Sequence, residues 1–475
     1  MASLTNESFA VLNRFNPWWR KDPLVDLPNW TRSAGKQLQH WIERPTTHRA
    51  VLLSGAKQTG KTTLLRQSIN RLLVAGTPAA NILYVNFDHP LFKLAGIEAV
   101  VEAWRQHEPK ALGPEFVFLD EAHAVEGWDG WITDQVDANR NRRIVATSST
   151  TPPVESSAPG QIHWHNIRVG TLSFYEYLQA RRIDVLPLPK IKHLAELFAW
   201  PLTEFQRVRD LGRPYIGHFH EYLVRSGYPQ AALGESIPNS QSIVRENCLG
   251  KAIRRDLASQ FAVRRVHELE YAFLHLCQHD DGLLDLPVLC EKLAIKRPTA
   301  EHFLNLLEAG QLIHRLAPYG YGKEIQRARF KIYLADAGIA PALLLKGKGL
   351  LDDPQSLGIA AETAVFKHLF TRYQAQQAQF SYWRGNAGRA VDLIAQVGEQ
   401  LLPFEFSYRE KPHGAKNLKD LIDLLVEKKI ERGYVVTKGP GDFGELPGVE
   451  KPAKIMRLPA AFACYWLGEV ESNVS

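Results

Sequence analysis

Residues 53–65 read LSGAKQTGKTTLL, and no other stretch restricts the fold of this chain as strongly. Gly55 to Thr62 fill every fixed position of G-x-x-x-x-G-K-[ST]. The β-favouring run AVLLS precedes the loop, and TLLRQSINRLL after it carries helical periodicity. Each residue type has a physical reason. Gly55 and Gly60 allow tight backbone turns, so that the N–H groups of Ala56, Lys57, Gln58, Thr59 and Gly60 can face one concavity and hold phosphate oxygens. Lys61 supplies a positive charge for β- and γ-phosphates, and the hydroxyl of Thr62 is suited to Mg²⁺. The start of the helix, with Thr63, adds a partial positive charge. The expected ligands are therefore ATP and Mg²⁺.

A phosphate loop needs a second strand that ends in carboxylates. EFVFLDEAH at 115–123 fits, with Asp120 expected to hold the Mg²⁺ shell and Glu121 to polarise an attacking water. NILYVNFDHP (81–90) reads as another strand, with Asp88 at its end. RRIVATSST (142–150) reads as a further strand, ending in hydroxyls. There Ser148 or Ser149 can sense the γ-phosphate, Ser148 being the expected sensor; ordinary turn serines are the plain alternative. Strands alternating with helices to about residue 150 imply a parallel sheet covered on both faces.

The strings GAKQTGKTTLL, FLDEAHAVEGW, ATSST and TLSFYEYL (171–178) resemble a prokaryotic group of AAA-type P-loop ATPases that carry a C-terminal nuclease-like domain. YLVRSGYPQ (222–230), IRRDL (253–257), KIYLADAGI (331–339) and VDLIAQVGEQLLPFEF (391–406) resemble the same group in the same order. The resemblance implies that Lys61, Thr62, Asp120 and Glu121 bind and hydrolyse ATP, with Ser148 as sensor. Two departures stand out. His123 occupies a position where the group has glutamine, and Gln161 follows Gly160 where the group has arginine. Arg168 or an arginine from a neighbouring subunit is then the substitute contact to the γ-phosphate.

Residues 172–260 read as helices broken by proline and glycine turns, a lid and connector. LPVLCEKLAIKRPTAEHFLNLLEAGQLIHRLAPYGYG, from 286, outlines a winged helix whose second helix, about 298–309, has Lys296, Arg297 and His302 near its start. Glu301 and Glu308 share that helix, so packing competes with DNA contact as its purpose. At the end of the chain a PD-(D/E)xK arrangement is visible: Glu362 on a helix, Asp392 on one strand and Glu405 on the next. The lysine position holds Ser407, which cannot supply a cation, and Arg409 or Lys411 are the nearby candidates to replace it. A retained scaffold without its chemistry is the favoured reading of this domain.

The fold expected is α/β: an N-terminal extension (1–45), a P-loop ATPase core (46–180), a helical lid (181–264), a winged helix (265–348) and a restriction-nuclease-like domain (349–475). Trp18, Trp19 and Trp30 of the extension should pack on the core or at a subunit contact. Of 475 residues, 45% are apolar and 23% charged, the balance of a globular chain rather than a disordered one. No stretch has the roughly 18 apolar residues of a membrane span. Cys248, Cys277, Cys290 and Cys464 show neither metal spacing nor a disulfide framework, which suits the cytoplasm. A net charge of +6 allows nucleic acid without demanding it. The function expected is an ATP-hydrolysing switch or motor, with ATP as ligand and DNA or further copies of the chain as open partners. The alternatives are a nucleotide-gated DNA nuclease and an ATP-loaded interaction module.

Overall fold

The computed structural model describes residues 6–44, 50–108, 110–139, 141–150, 164–258, 265–278, 282–320, 329–374, 376–385, 389–411, 414–449 and 453–472. Two compact units emerge, Met1–Gly170 and Thr171–Asn473.

The first unit is a parallel sheet of β1 (Ala50–Ser54), β2 (Ile82–Asn86), β3 (Glu115–Asp120), β4 (Arg142–Ser148) and β5 (Trp164–Arg168), in the order β2-β3-β4-β1-β5. Side chains alternate between two cores, as a sheet covered on both faces requires. Leu52, Leu83, Val85, Val117 and Leu119 enter one core. Val51, Leu53, Tyr84, Phe116 and Phe118 enter the other. The strand order has a consequence for the site. Because β4 lies between β1 and β3, its end sits between the phosphate loop and the two acids.

The edge strand β2 is closed by the N-terminal segment. Asn16 imitates a strand neighbour: its Nδ2 donates to Tyr84 O at 2.8 Å, and its Oδ1 accepts from Tyr84 N–H at 2.7 Å. The indole N–H groups of Trp18 and Trp19 both donate to Ile82 O, at 3.2 and 3.0 Å. These tryptophans thus lie against the sheet of the first unit.

The second unit opens with the helix Phe174–Ala180, held by a capping box between Ser173 and Glu176. Further helices follow, among them Leu202–Leu211, Arg213–Arg225 and Val266–Gln278. Then come Leu286–Leu293 and Arg297–Ala309, with β6 (Leu283–Leu284), β7 (Ile313–Pro318) and β8 (Phe330–Leu334) beside them. β8 pairs antiparallel with both β6 and β7. The loop joining β7 to β8, where the wing would lie, falls outside the described residues. The last part has the long helix Pro354–Gln374, β9 (Gln379–Arg384), β10 (Ala390–Val397), β11 (Gln400–Ser407), β12 (Arg432–Thr437), β13 (Gly444–Glu445), β14 (Lys454–Pro459) and the helix Ala460–Ser472.

One pairing here is not visible in the sequence. β7 pairs in parallel with β9, through Ala317 with Ser381 and Pro318 with Tyr382. One sheet, β13-β14-β12-β11-β10-β9-β7-β8-β6, therefore runs through the segments read as separate domains at 265–348 and 349–475. Hydrophobic periodicity shows that β7 is a strand, but it cannot show which strand its second edge meets. At the start of the helix Arg297–Ala309, Arg297 donates to Glu301 at 2.8 Å, while Glu308 accepts from Arg315 on β7. No helix among the described residues is long and apolar enough to cross a membrane.

Candidate nucleotide site

β1 ends at Ser54, and the helix Lys61–Val74 begins seven residues later, so Gly55–Gly60 is the loop read from the sequence. Its tightness is visible at Gly55, where an added Cβ would lie 2.1 Å from Val169 O. Gly60 has φ 97° and Gln58 φ 65°, both left-handed. From the N-terminal segment, buried Arg32 donates to Thr59 O at 2.6 Å and Gly170 O at 2.9 Å, fixing the loop from behind. Thr59 donates back to Ala56 O at 2.9 Å. Lys57 donates to Asp88 at 2.8 Å, joining the loop to the end of β2.

Lys61 is buried and turned into the loop. Its Nζ donates to Gly55 O at 2.8 Å, Ala56 O at 3.1 Å and Ser149 Oγ at 3.0 Å, and lies 3.6 Å from Glu121 Oε1. Thr62 Oγ1 donates to Asp120 Oδ2 at 2.7 Å. Asp120 also accepts from Tyr84 OH at 2.9 Å and Thr147 Oγ1 at 2.7 Å, while Thr147 accepts from the N–H of Glu121 at 2.7 Å. Ser149 Oγ shares its proton between the two oxygens of Glu121, at 2.7 and 2.6 Å. Glu121 has φ 53°, a left-handed strain that aims its carboxylate at Lys61 rather than along the strand.

The electrostatics divide the two acids. Burial would raise Glu121, but Lys61, His123 and Lys57 together with the Ser149 hydrogen bond outweigh it and bring the carboxyl down to about 2. Burial and the neighbouring Glu121 charge push Asp120 upward despite its hydroxyl donors. Thr62 Oγ1 and the Asp120 carboxylate are adjacent hard oxygen donors, the donor set that suits Mg²⁺.

The sequence reading placed Lys61, Thr62, Asp120 and Glu121 in one site, and the structure brings them together. Ser148 is buried and turns its hydroxyl to Thr150 O, whereas Ser149 faces Glu121 and Lys61. Alternation along β4 carries that signal, since Thr147 and Ser149 share a face and Ser148 points away. Tyr84 and Arg32 were not singled out, and nothing local in the sequence marks either. Arg168 ends β5 in register with Ser54, while Gly160 and Gln161 lie outside the described residues.

Residues 47–178 match the family model described as an AAA domain. The phosphate loop and both acids lie inside that AAA-type match. Residues 216–349 and 357–451 match two families described as domains of unknown function (DUF8612 and DUF4143). An uncharacterized protein of Haemophilus influenzae is 23% identical over 426 residues, covering 87% of this chain and 95% of that protein. An uncharacterized protein of Mycobacterium tuberculosis is 25% identical over 240 residues, covering 50% of this chain and 52% of that one. Among solved structures, the Walker-type ATPase PABY2304 of Pyrococcus abyssi aligns with a TM-score of 0.36 at 14% identity, over 68% of this chain and 99% of its own. A DNA polymerase III gamma subunit-related protein of Thermotoga maritima aligns at 0.26 and 10% identity, over 58% and 98%. Both scores are too low to carry an argument.

Beyond the AAA-type domain, the second unit brings the three C-terminal acids close to one lysine, and it is none of the expected ones. Lys331 on β8 reaches Glu362 Oε1 at 2.7 Å and Asp392 Oδ1 at 3.2 Å. Tyr333 OH donates to Glu362 at 2.7 Å, and Phe406 N–H donates to Asp392 Oδ2 at 3.0 Å. Glu405 Oε2 is buried without a hydrogen-bond partner. Burial and the Asp392 charge push Glu405 up to about 9. Ser407 is fully buried, and Arg409 is exposed beyond the strand, as is Lys411. Among the described residues no group of three or more His, Cys, Asp or Glu is arranged to hold a metal ion.

Proposed function

We propose that the AAA-type domain binds ATP with Mg²⁺ through Gly55–Thr63, hydrolyses it with Glu121, and works as a nucleotide-driven switch or motor for the rest of the chain. One observation carries the reading: Lys61, Thr62, Asp120, Glu121 and Ser149, with Thr147 bridging the two acids, form a continuous hydrogen-bonded cluster at the carboxyl ends of β1, β3 and β4.

The loop amides and the helix N-terminus hold phosphate oxygens. Lys61 exchanges Gly55 O and Ala56 O for the β- and γ-phosphates, an exchange of neutral acceptors for charged ones. Thr62 and Asp120 would hold Mg²⁺, which when bound offsets charge on the phosphates. Glu121, ionised well below neutral pH, polarises and orients the attacking water. Departure of Lys61 toward phosphate removes the main cation beside Glu121, so nucleotide binding itself raises the basicity of that carboxylate.

Fluorescent-nucleotide titration and phosphate release test the reading. Lys61→Ala should lose nucleotide affinity. Glu121→Gln should keep affinity and lose turnover by about 10²–10⁴-fold. Wild-type protein that binds MgATP but releases no phosphate would replace hydrolysis with the interaction-module reading.

A further inference from the structure

The acids of the second unit are arranged around a cation that the chain itself provides. Lys331 Nζ has three protons to donate and meets three acceptors: Glu362 Oε1 at 2.7 Å, Asp392 Oδ1 at 3.2 Å and Asp392 O at 3.3 Å. Its side chain is only 9% exposed, so it is not a surface lysine visiting the cluster. Tyr333 OH donates to the same Glu362 oxygen, and Phe406 N–H donates to the other Asp392 oxygen. Ser407 cannot contribute a charge from its own position.

We infer that Lys331 is the resident cation of this cluster, occupying by charge and contact the role that a divalent ion plays between paired carboxylates, so that the wild-type domain takes no metal there. The lysine comes from β8, 61 residues before Asp392, so the ion pair also ties the edge of the sheet that holds β6–β8 to its β9–β14 part. Without Lys331, two partly buried carboxylates would stand close together unneutralised, and a divalent ion would be the natural replacement.

The test uses the nucleotide-free, full-length chain titrated with Mn²⁺ by calorimetry, as wild type, Lys331→Met, Asp392→Asn and the double variant. Binding near Asp120 is common to all four and cancels. Wild type and Asp392→Asn should give the same isotherm. Lys331→Met should gain one Mn²⁺ held at least about tenfold more tightly than wild type holds any, and the double variant should lose it. An Asp392-dependent Mn²⁺ in the wild type overturns the inference, as does Mn²⁺-dependent cleavage of duplex DNA that Asp392→Asn abolishes. A folded Lys331→Met that gains no ion overturns it too. Should Lys331→Met fail to fold, the comparison of wild type with Asp392→Asn still decides. Lys331→Arg, which keeps the charge, should fold and give the wild-type isotherm.

Discussion

Ser149 is a single hydroxyl placed between an ammonium and a carboxylate, accepting from Lys61 and donating to Glu121. It has no charge to contribute, so its effect must be on the direction in which Glu121 points. We expect Ser149→Ala to leave nucleotide affinity within about twofold and to lower turnover by about 10–100-fold, the usual cost of losing an orienting partner. Equal loss of affinity and turnover would mean that Ser149 binds nucleotide instead. The loop itself was readable because each fixed position answers a local backbone demand at Gly55, Gly60, Lys61 or Thr62. Tyr84 and Arg32 were not, since each acts across the fold, Tyr84 on a carboxylate from the next strand and Arg32 on a main-chain carbonyl 27 positions away. Lys331 was hidden for the same reason: it acts on Asp392, 61 residues further along the chain.

Among the elements of the second unit, the helix Pro354–Gln374 carries two buried groups with opposite needs. Lys367 Nζ donates to Thr171 Oγ1, Leu172 O and Tyr222 OH at 2.7, 2.7 and 2.6 Å and pairs with Asp336 at 3.2 Å. Removing the ammonium leaves Asp336 charged and buried, so Lys367→Met should destabilise this unit by about 3–5 kcal/mol in chemical denaturation. Adding Asp336→Asn should recover part of that loss; no recovery would locate the damage in packing. The neighbouring His368 accepts the N–H of Phe174 at 2.8 Å through Nε2, and its Nδ1 faces Ala364 O at 2.6 Å and donates to it, so the ring is neutral. Burial and then Lys367 bring its pKa down to about 3. A depressed pKa means that the unfolded chain gains the proton first. The contribution is complete above about pH 6.5 and is lost as pH falls toward 3, at up to about 1.4 kcal/mol per pH unit. His368→Gln should flatten that part of the acid limb in thermal melts. The helices and strands here were largely visible as patterns, but no pattern announces a lysine whose partners lie on three other segments.

At the scale of the molecule, the residues of the proposed nucleotide site all belong to the unit Met1–Gly170. Ligand that binds only the folded form stabilises it by mass action, about 2.7 kcal/mol at a concentration about a hundredfold above Kd. Scanning calorimetry with MgATP should therefore raise the transition of this unit, and Lys61→Ala should abolish the shift. A shift that survives the substitution would put the nucleotide elsewhere. Two family matches, 216–349 and 357–451, meet near residue 348, and β7 and β9 hydrogen-bond to each other across that point. Cut apart there, the chain would expose a short unpaired edge at Ala317–Pro318 and another at Ser381–Tyr382, each a place where a foreign strand can add.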